Sequence, residues 1–216
     1  RVVTSIFIGG GTPSILQVNL IEKIINAVKS NCQLAENAEI TIECNPGTVT
    51  EEKLNTYKKS GINRISFGLQ SANDEELSRT GFDNINIDIM SALPYQTMEA
   101  YRNTLEKVIK LNPEHISAYS LIVEDDTPLC QQVEEAEEKG IKILPDEDTE
   151  REMYYLTEKM LKDNGYIHYE ISNFAKPQKE CKHNIGYWKR VDYLGFGIGA
   201  ASLYNNTRYS NTDDLD

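Results

Sequence analysis

Five places along this chain carry residue types that could do chemistry. Ile8 runs into Gly9-Gly10-Gly11 and then Thr12-Pro13-Ser14. Glycine has no Cβ, so such a backbone bends sharply and can present its N–H groups to a polar or anionic ligand. Pro13, with Thr12 and Ser14 as capping side chains, suits the start of a helix directly after the glycines. Glu43 ends the apolar-alternating run from Glu39, Gln70 follows Arg64-Ile65-Ser66-Phe67-Gly68-Leu69, and Asp88 lies inside Ile85-Asn86-Ile87-Asp88-Ile89. An unpaired carboxylate in so apolar a run would be expensive to bury, so Asp88 belongs in a polar network or a functional site. There it would suit the two hydroxyls of a ribose. Finally, His183-Asn184-Ile185-Gly186-Tyr187-Trp188 puts the one Trp beside a His, a Tyr and several lysines. An imidazole can ligate iron, and a planar ring can stack on aromatic side chains.

Each place also has a plainer reading. The glycines match neither the G-x-x-x-x-G-K-[ST] phosphate loop nor the G-x-G-x-x-G dinucleotide fingerprint, so a tight structural turn competes with a ligand seat. Glu43 could face solvent, and His183 to Trp188 could be structural. His115 reads as structural, and His168 as paired or on the surface. No Ser-His-Asp or Cys-His order points to a nucleophile, which leaves the catalytic residues unknown.

The elements that must position these residues alternate. Residues 2–8 read as a fully buried strand, and Ile15 to Val28 follows helical spacing. Glu39–Glu43 is a second strand, ended by Asn45-Pro46-Gly47. A helix then begins at an N-cap Thr50 and ends at Gly61. Strands follow over 63–69 and 84–90, then a helix over 97–111 and a strand over 115–122. A long helix over 147–164 is closed by Gly165, with a strand over 166–172 and a Gly-rich strand or strand-loop over 193–203. Strand-helix alternation predicts an α/β fold with a parallel sheet, a partial β/α barrel or an open sheet. Gly9–Gly11, Glu43, Gln70 and Asp88 then fall at the C-terminal ends of four successive strands, the edge where such folds bind ligands. One spacing is short. Thirteen residues between Gln70 and Asn84 barely allow a crossover helix over 73–77 ended by Gly81. Residues are therefore expected to be missing near Leu77-Ser78-Arg79, with a true short loop as the alternative.

The chain has 216 residues and a formal net charge of −12. That charge argues against a nucleic-acid partner, which needs clustered Lys and Arg. Between Ile171 and Ser210, however, six basic residues face two acidic ones. Such a basic, aromatic-rich segment could receive a small anionic ligand, or be a solvated loop. Acidic residues between Glu134 and Glu152 read as solvated helix faces and a linker. No apolar run approaches the roughly 20 residues of a membrane-spanning helix. Cys32, Cys44, Cys130 and Cys181 form no metal-ligand spacing and read as reduced thiols of a cytosolic protein. Arg1 leads straight into a strand without an initiator Met, so a fragment is expected.

Together the motifs resemble one family. Ile8-Gly9-Gly10-Gly11-Thr12-Pro13-Ser14, Thr41-Ile42-Glu43-Cys44-Asn45-Pro46-Gly47-Thr48 and Asn63-Arg64-Ile65-Ser66-Phe67-Gly68-Leu69-Gln70-Ser71 look like successive signatures of radical S-adenosylmethionine proteins, specifically the oxygen-independent coproporphyrinogen III oxidase family. Asn86 to Met90, Leu93 to Thr97 and Pro113 to Tyr119 extend the match, while Tyr169 to Ala175 and His183 to Trp188 look like its heme-chaperone branch. The resemblance implies a partial barrel holding S-adenosylmethionine at its C-terminal strand edge. Residues 1–145 would form its core and 146–216 its C-terminal part and an extension. By the same resemblance Gly10, Gly11 and Thr12 would meet the methionine moiety, Glu43 its amino group, Gln70 the cofactor and Asp88 the ribose. Ile122 and Ala201 would give apolar contacts to the adenosine. His183, Asn184, Tyr187 and Trp188 would contact heme. Arg79 is not carried over to the family's arginine. The family's [4Fe-4S] cluster cysteines would lie upstream of Arg1, and a helical domain beyond Asp216. The function implied is a chaperone that delivers heme to heme proteins, with peripheral membrane association through a partner left open. The alternative is the oxidase, which converts propionates to vinyls by radical decarboxylation in porphyrin biosynthesis.

Overall fold

The alternation of apolar and polar residues in the second to fifth strands builds a sheet with two unlike faces. In this computed structural model, residues 2–68 and 81–214 are described. The large sheet comprises β1 (Val2–Ile8), β2 (Gln33–Cys44), β3 (Arg64–Gly68), β4 (Ile85–Ser91) and β5 (His115–Ser120), followed by β6 (Ile167–Glu170) and β7 (Asn173–Ala175). Its order is β1-β2-β3-β4-β5-β7-β6. The first five strands run parallel and curl into a half barrel, while β7 and β6 pair antiparallel at the far edge. The expected all-parallel sheet therefore ends at β5. The turn Ile171-Ser172 is too short for a crossover, so β6 and β7 must form a hairpin.

The helices are α1 (Val18–Asn31), α2 (Glu51–Ser60), α3 (Met98–Leu111), α4 (Pro128–Glu138), α5 (Glu147–Asp163) and α6 (Lys182–Trp188). The outer face of β2 and β3 (Ile40, Ile42, Ile65, Phe67) packs against Ile21 and Ile25 of α1 and Leu54 and Tyr57 of α2. Ile87, Ile89, Ile116 and Phe174 pack likewise against Tyr101, Leu105 and Val108 of α3 and Met153 and Leu161 of α5. Burying these isoleucines outward forces their sequence neighbours inward, because strand side chains alternate. The inner face is accordingly polar. Glu39, Thr41, Arg64, Ser66, Asn86, His115 and Ser117 are all buried.

Several expectations are corrected here. β1 is an edge strand with Val2 49% exposed, not a fully buried one. Thr12 and Ser14 do not cap the helix that follows. Pro13–Ile15 is a single 3-10 turn without a side-chain cap, and α1 starts at Val18. Ser14 is instead buried, its Oγ accepting from Asn45 N–H at 3.1 Å. Thr50 does cap α2, accepting from Lys53 N–H at 3.2 Å, and Gly61 closes it at φ +97°. Residues 193–203 form no continuous strand. Tyr193 makes an isolated bridge to Leu203, and β8 (Ala201–Tyr204) pairs with β9 (Thr207–Ser210) in a separate hairpin. Gln70, Arg79 and the helix expected over 73–77 lie outside the described residues.

Candidate functional site

β1 delivers the glycines to the C-terminal edge of the sheet. Gly10 and Gly11 have φ of +86° and +93°, in the left-handed region that glycine enters without strain, and a Cβ on either would meet open space. Gly9 differs. A Cβ there would stand 2.7 Å from Phe7 Cε1 and 2.9 Å from both Cδ and Oε2 of Glu43. The missing side chain of Gly9 is what lets the turn lie against Glu43. That carboxylate accepts the Gly10 N–H at 3.1 Å, so turn and acid form one unit.

Burial pushes the Glu43 carboxyl above its ordinary value; the Gly10 bond opposes this, and the charge of Asp88 adds to it. Folding therefore favours the protonated acid, and Glu43 subtracts stability as pH rises from about 4.5 through its raised value. Glu43→Gln is expected to remove that slope. Urea unfolding of both proteins at stepped pH should show the wild type losing ground to E43Q as pH rises through that window. Parallel curves would reject the assigned shift.

Asp88 lies in β4 on the inner face, half-buried. Its Oδ1 accepts from Asn86 Nδ2 at 2.8 Å and its Oδ2 from Ser66 Oγ at 2.8 Å, so it is networked rather than unpaired. Tyr119 stands near enough that Asp88 helps burial raise its phenol pKa. Ile122 follows β5, 77% exposed at the same edge, whereas Ala201 opens the separate β8–β9 hairpin. Thr12 flanks the turn, half-buried. The structure thus sets Gly9–Gly11 and Glu43 at the C-terminal edge, whereas Asp88, expected at a strand end, lies at the centre of β4, level with Gly68 at the end of the shorter β3.

The His183–Trp188 motif forms α6, which docks on β1. His183 stacks on Phe7 (centroids 5.1 Å apart), and both ring nitrogens are engaged, Nδ1 with Ser5 Oγ at 3.1 Å and Nε2 with Tyr187 OH at 2.9 Å. Burial lowers its pKa, against the pull of Glu39, so the ring is neutral at pH 7. The Asn184 backbone bonds Cys181. Trp188 is 57% exposed and donates Nε1–H to Glu170 at 2.9 Å. His115 is buried between Asn86 and Tyr169, and His168 stacks on Phe174.

No sequence motif marks Glu39 as a candidate. It accepts the N–H groups of Lys182 and His183 (3.1 and 3.2 Å) and the Cys181 thiol, anchoring α6 by its N-terminus. The readable signal was a polar period of two, Glu39-Thr41-Glu43 and Arg64-Ser66, marking the inner face.

The description "Radical SAM superfamily" matches residues 1–123. The chain belongs to that superfamily. It is 38% identical to "Heme chaperone HemW" of Lactococcus lactis over 96% of this chain and 59% of that protein. To "Heme chaperone HemW" of Escherichia coli it is 36% identical, over 93% and 56%. Among solved structures it is similar to coproporphyrinogen III oxidase (HemN) from Escherichia coli, with a TM-score of 0.79 and 26% identity across all of this chain and 56% of that one. The chain spans less than two thirds of the length of these relatives.

Radical SAM membership implies S-adenosylmethionine and a [4Fe-4S] cluster. The strand edge fits the first. Left-handed glycines leave space above the turn, and Glu43 offers an anion to a cationic amino group. The described residues do not fit the second. Among them no three metal-ligating side chains converge, and all four cysteines are free. Burial pushes Cys44 to about 12 and Cys181 to about 11, the wrong direction for thiolate ligands. No helix among the described residues is long and apolar enough to cross a membrane.

Proposed function

We propose that this chain is the S-adenosylmethionine-binding half barrel of a heme chaperone, acting in the cytoplasm and holding heme for delivery to heme proteins. The single observation that carries the reading is the 38% identity to a heme chaperone across 96% of the chain, against 26% to the oxidase. At the mouth, Gly10, Gly11 and Thr12 receive the methionine end, Glu43 its ammonium, and Asp88 the ribose hydroxyls; Gln70, Ile122 and Ala201 complete the cofactor contacts. The cofactor, when bound with the cluster, supplies radical chemistry in this superfamily. The residues of this chain orient it and neutralise its ammonium.

Heme is the cargo, and His183, Asn184, Tyr187 and Trp188 are its contacts. In the present conformation His183 has no free nitrogen. Ligation of iron therefore requires one partner to leave, and Tyr187, 47% exposed, is the cheaper to move. Heme titration of the full-length, cluster-loaded protein tests this. His183→Ala should weaken heme binding at least tenfold, whereas Tyr187→Phe, which frees Nε2 from a bond worth about 1 kcal/mol, should strengthen it several-fold. Unchanged affinity in H183A would remove α6 from the heme site. A wild type that binds no heme but turns over coproporphyrinogen III would replace the chaperone by the oxidase.

A further inference from the structure

The inner face of the half barrel carries a continuous file of buried and half-buried groups from the N-cap of α6, Cys181, to Asp88. The Cys181 N–H donates to Tyr169 OH at 3.3 Å, Tyr169 OH meets His115 Nε2 at 2.7 Å, and His115 Nδ1 meets Asn86 Oδ1 at 2.5 Å. Asn86 Nδ2 then donates to Asp88 Oδ1 at 2.8 Å and to Ser66 Oγ at 2.7 Å, and Ser66 Oγ donates to Asp88 Oδ2. The partners alone fix the direction of every proton. A carboxylate only accepts, so the Asn86 amide must turn its nitrogen to Asp88 and its oxygen to His115. His115 must therefore carry its proton on Nδ1, which makes Nε2 an acceptor and Tyr169 its donor. Ser117 Oγ, donating to the same Asn86 oxygen at 3.1 Å, holds the amide in that orientation. Burial, aided by the charge of Arg64, drives the His115 pKa well below 6.5, so the ring stays neutral as this pattern requires.

We propose that Tyr169, His115 and Asn86 form a one-way hydrogen-bond relay that positions the Asp88 carboxylate, and so couples the seating of α6 to nucleoside binding at the barrel mouth. The relay rests on the reading of Asp88 as the ribose-binding acid. Bonds pointing the same way polarise one another, so the file acts as a unit rather than as separate pairs. Its head is anchored where Glu39 holds the first N–H groups of α6, and its end is the acid beneath the ligand. By linkage, a nucleoside that draws on Asp88 must stabilise the seated helix to the same degree that the seated helix favours the nucleoside.

The test uses S-adenosylhomocysteine as the probe and the full-length, cluster-loaded protein. Nitrogen NMR of 15N-histidine-labelled wild type, with the His115 signal assigned by its loss in His115→Gln, should show a neutral Nδ1–H ring at pH 7. Tyr169→Phe keeps the aromatic ring and removes the one hydroxyl. Calorimetry should show its affinity for the probe falling roughly fivefold, the value of one hydrogen bond, and its His115 signal should shift. Probe binding should also change the fluorescence of Trp188 on α6, read as the difference from Trp188→Phe, in the wild type and not in Y169F. If the wild type binds the probe while Y169F matches it in affinity, His115 signal and fluorescence response, the relay is wrong and the ribose reading stands. A wild type that does not bind the probe overturns that reading itself. Should Y169F fail to fold, the wild-type spectrum decides, since a protonated or Nε2–H His115 at pH 7 excludes the relay.

Discussion

Gly9→Ala is expected to cost about 1–3 kcal/mol of stability and most of the affinity for S-adenosylmethionine, although it adds a single methyl group. The new carbon would press on Phe7 Cε1 at 2.7 Å and on the Glu43 carboxylate at 2.9 Å. Neither yields freely. Phe7 is stacked on His183, so displacing it loosens α6. Glu43 can swing away only by dropping the Gly10 N–H. Gly10→Ala provides the contrast, since its Cβ would meet nothing and only the left-handed φ of +86° is penalised, by about 1 kcal/mol. Urea unfolding and ligand calorimetry on both variants separate the two costs. A G9A protein as stable as the wild type, binding equally well, would show that the turn does not rest on Glu43.

Asp88→Ala should lower S-adenosylmethionine affinity by roughly 10–100-fold, the loss of charge-assisted hydrogen bonds worth about 1.5–3 kcal/mol. It should also destabilise the protein without any ligand. Asn86 and Ser66, 3% and 5% exposed, would keep their donors and lose the acceptor. A buried donor left unpaired costs about 1–3 kcal/mol. Asp88→Asn retains the volume and one acceptor oxygen, so it should recover part of the stability while binding stays weak. Affinity in D88A within twofold of the wild type would remove Asp88 from the cofactor site.

The charge-rich segment between β5 and α5 divides into a helix and a linker, as its composition suggests. The acidic residues from Glu134 to Glu138 do lie on a helix, α4, which starts upstream of them at a cap, Thr127, that accepts from Cys130 N–H. Thr127-Pro128 is the local signal for that start, a capping hydroxyl followed by a proline at the first helical position. The Thr12-Pro13-Ser14 signal, by contrast, failed. Ser14 had a better partner in the Asn45 backbone 31 residues on, and such a tertiary contact overrides a local cap.

By itself the sequence determined the alternation of strands and helices, the strand edge on which Gly9–Gly11 and Glu43 stand, the inward polar period that includes Asp88, and the family signatures. All of these rest on periods of two and 3.6 and on motifs within a few residues, which are local properties of a chain. Tertiary structure alone decided what those residues touch. Glu39 meets Cys181 across 142 positions and His115 meets Tyr169 across 54, pairings that exist only once the half barrel has curled. The same is true of His183. Its motif left ligand and structural roles both open, and docking of α6 on β1 gives both nitrogens a partner, because a neutral half-buried ring beside Ser5 and Tyr187 is costly to leave unpaired.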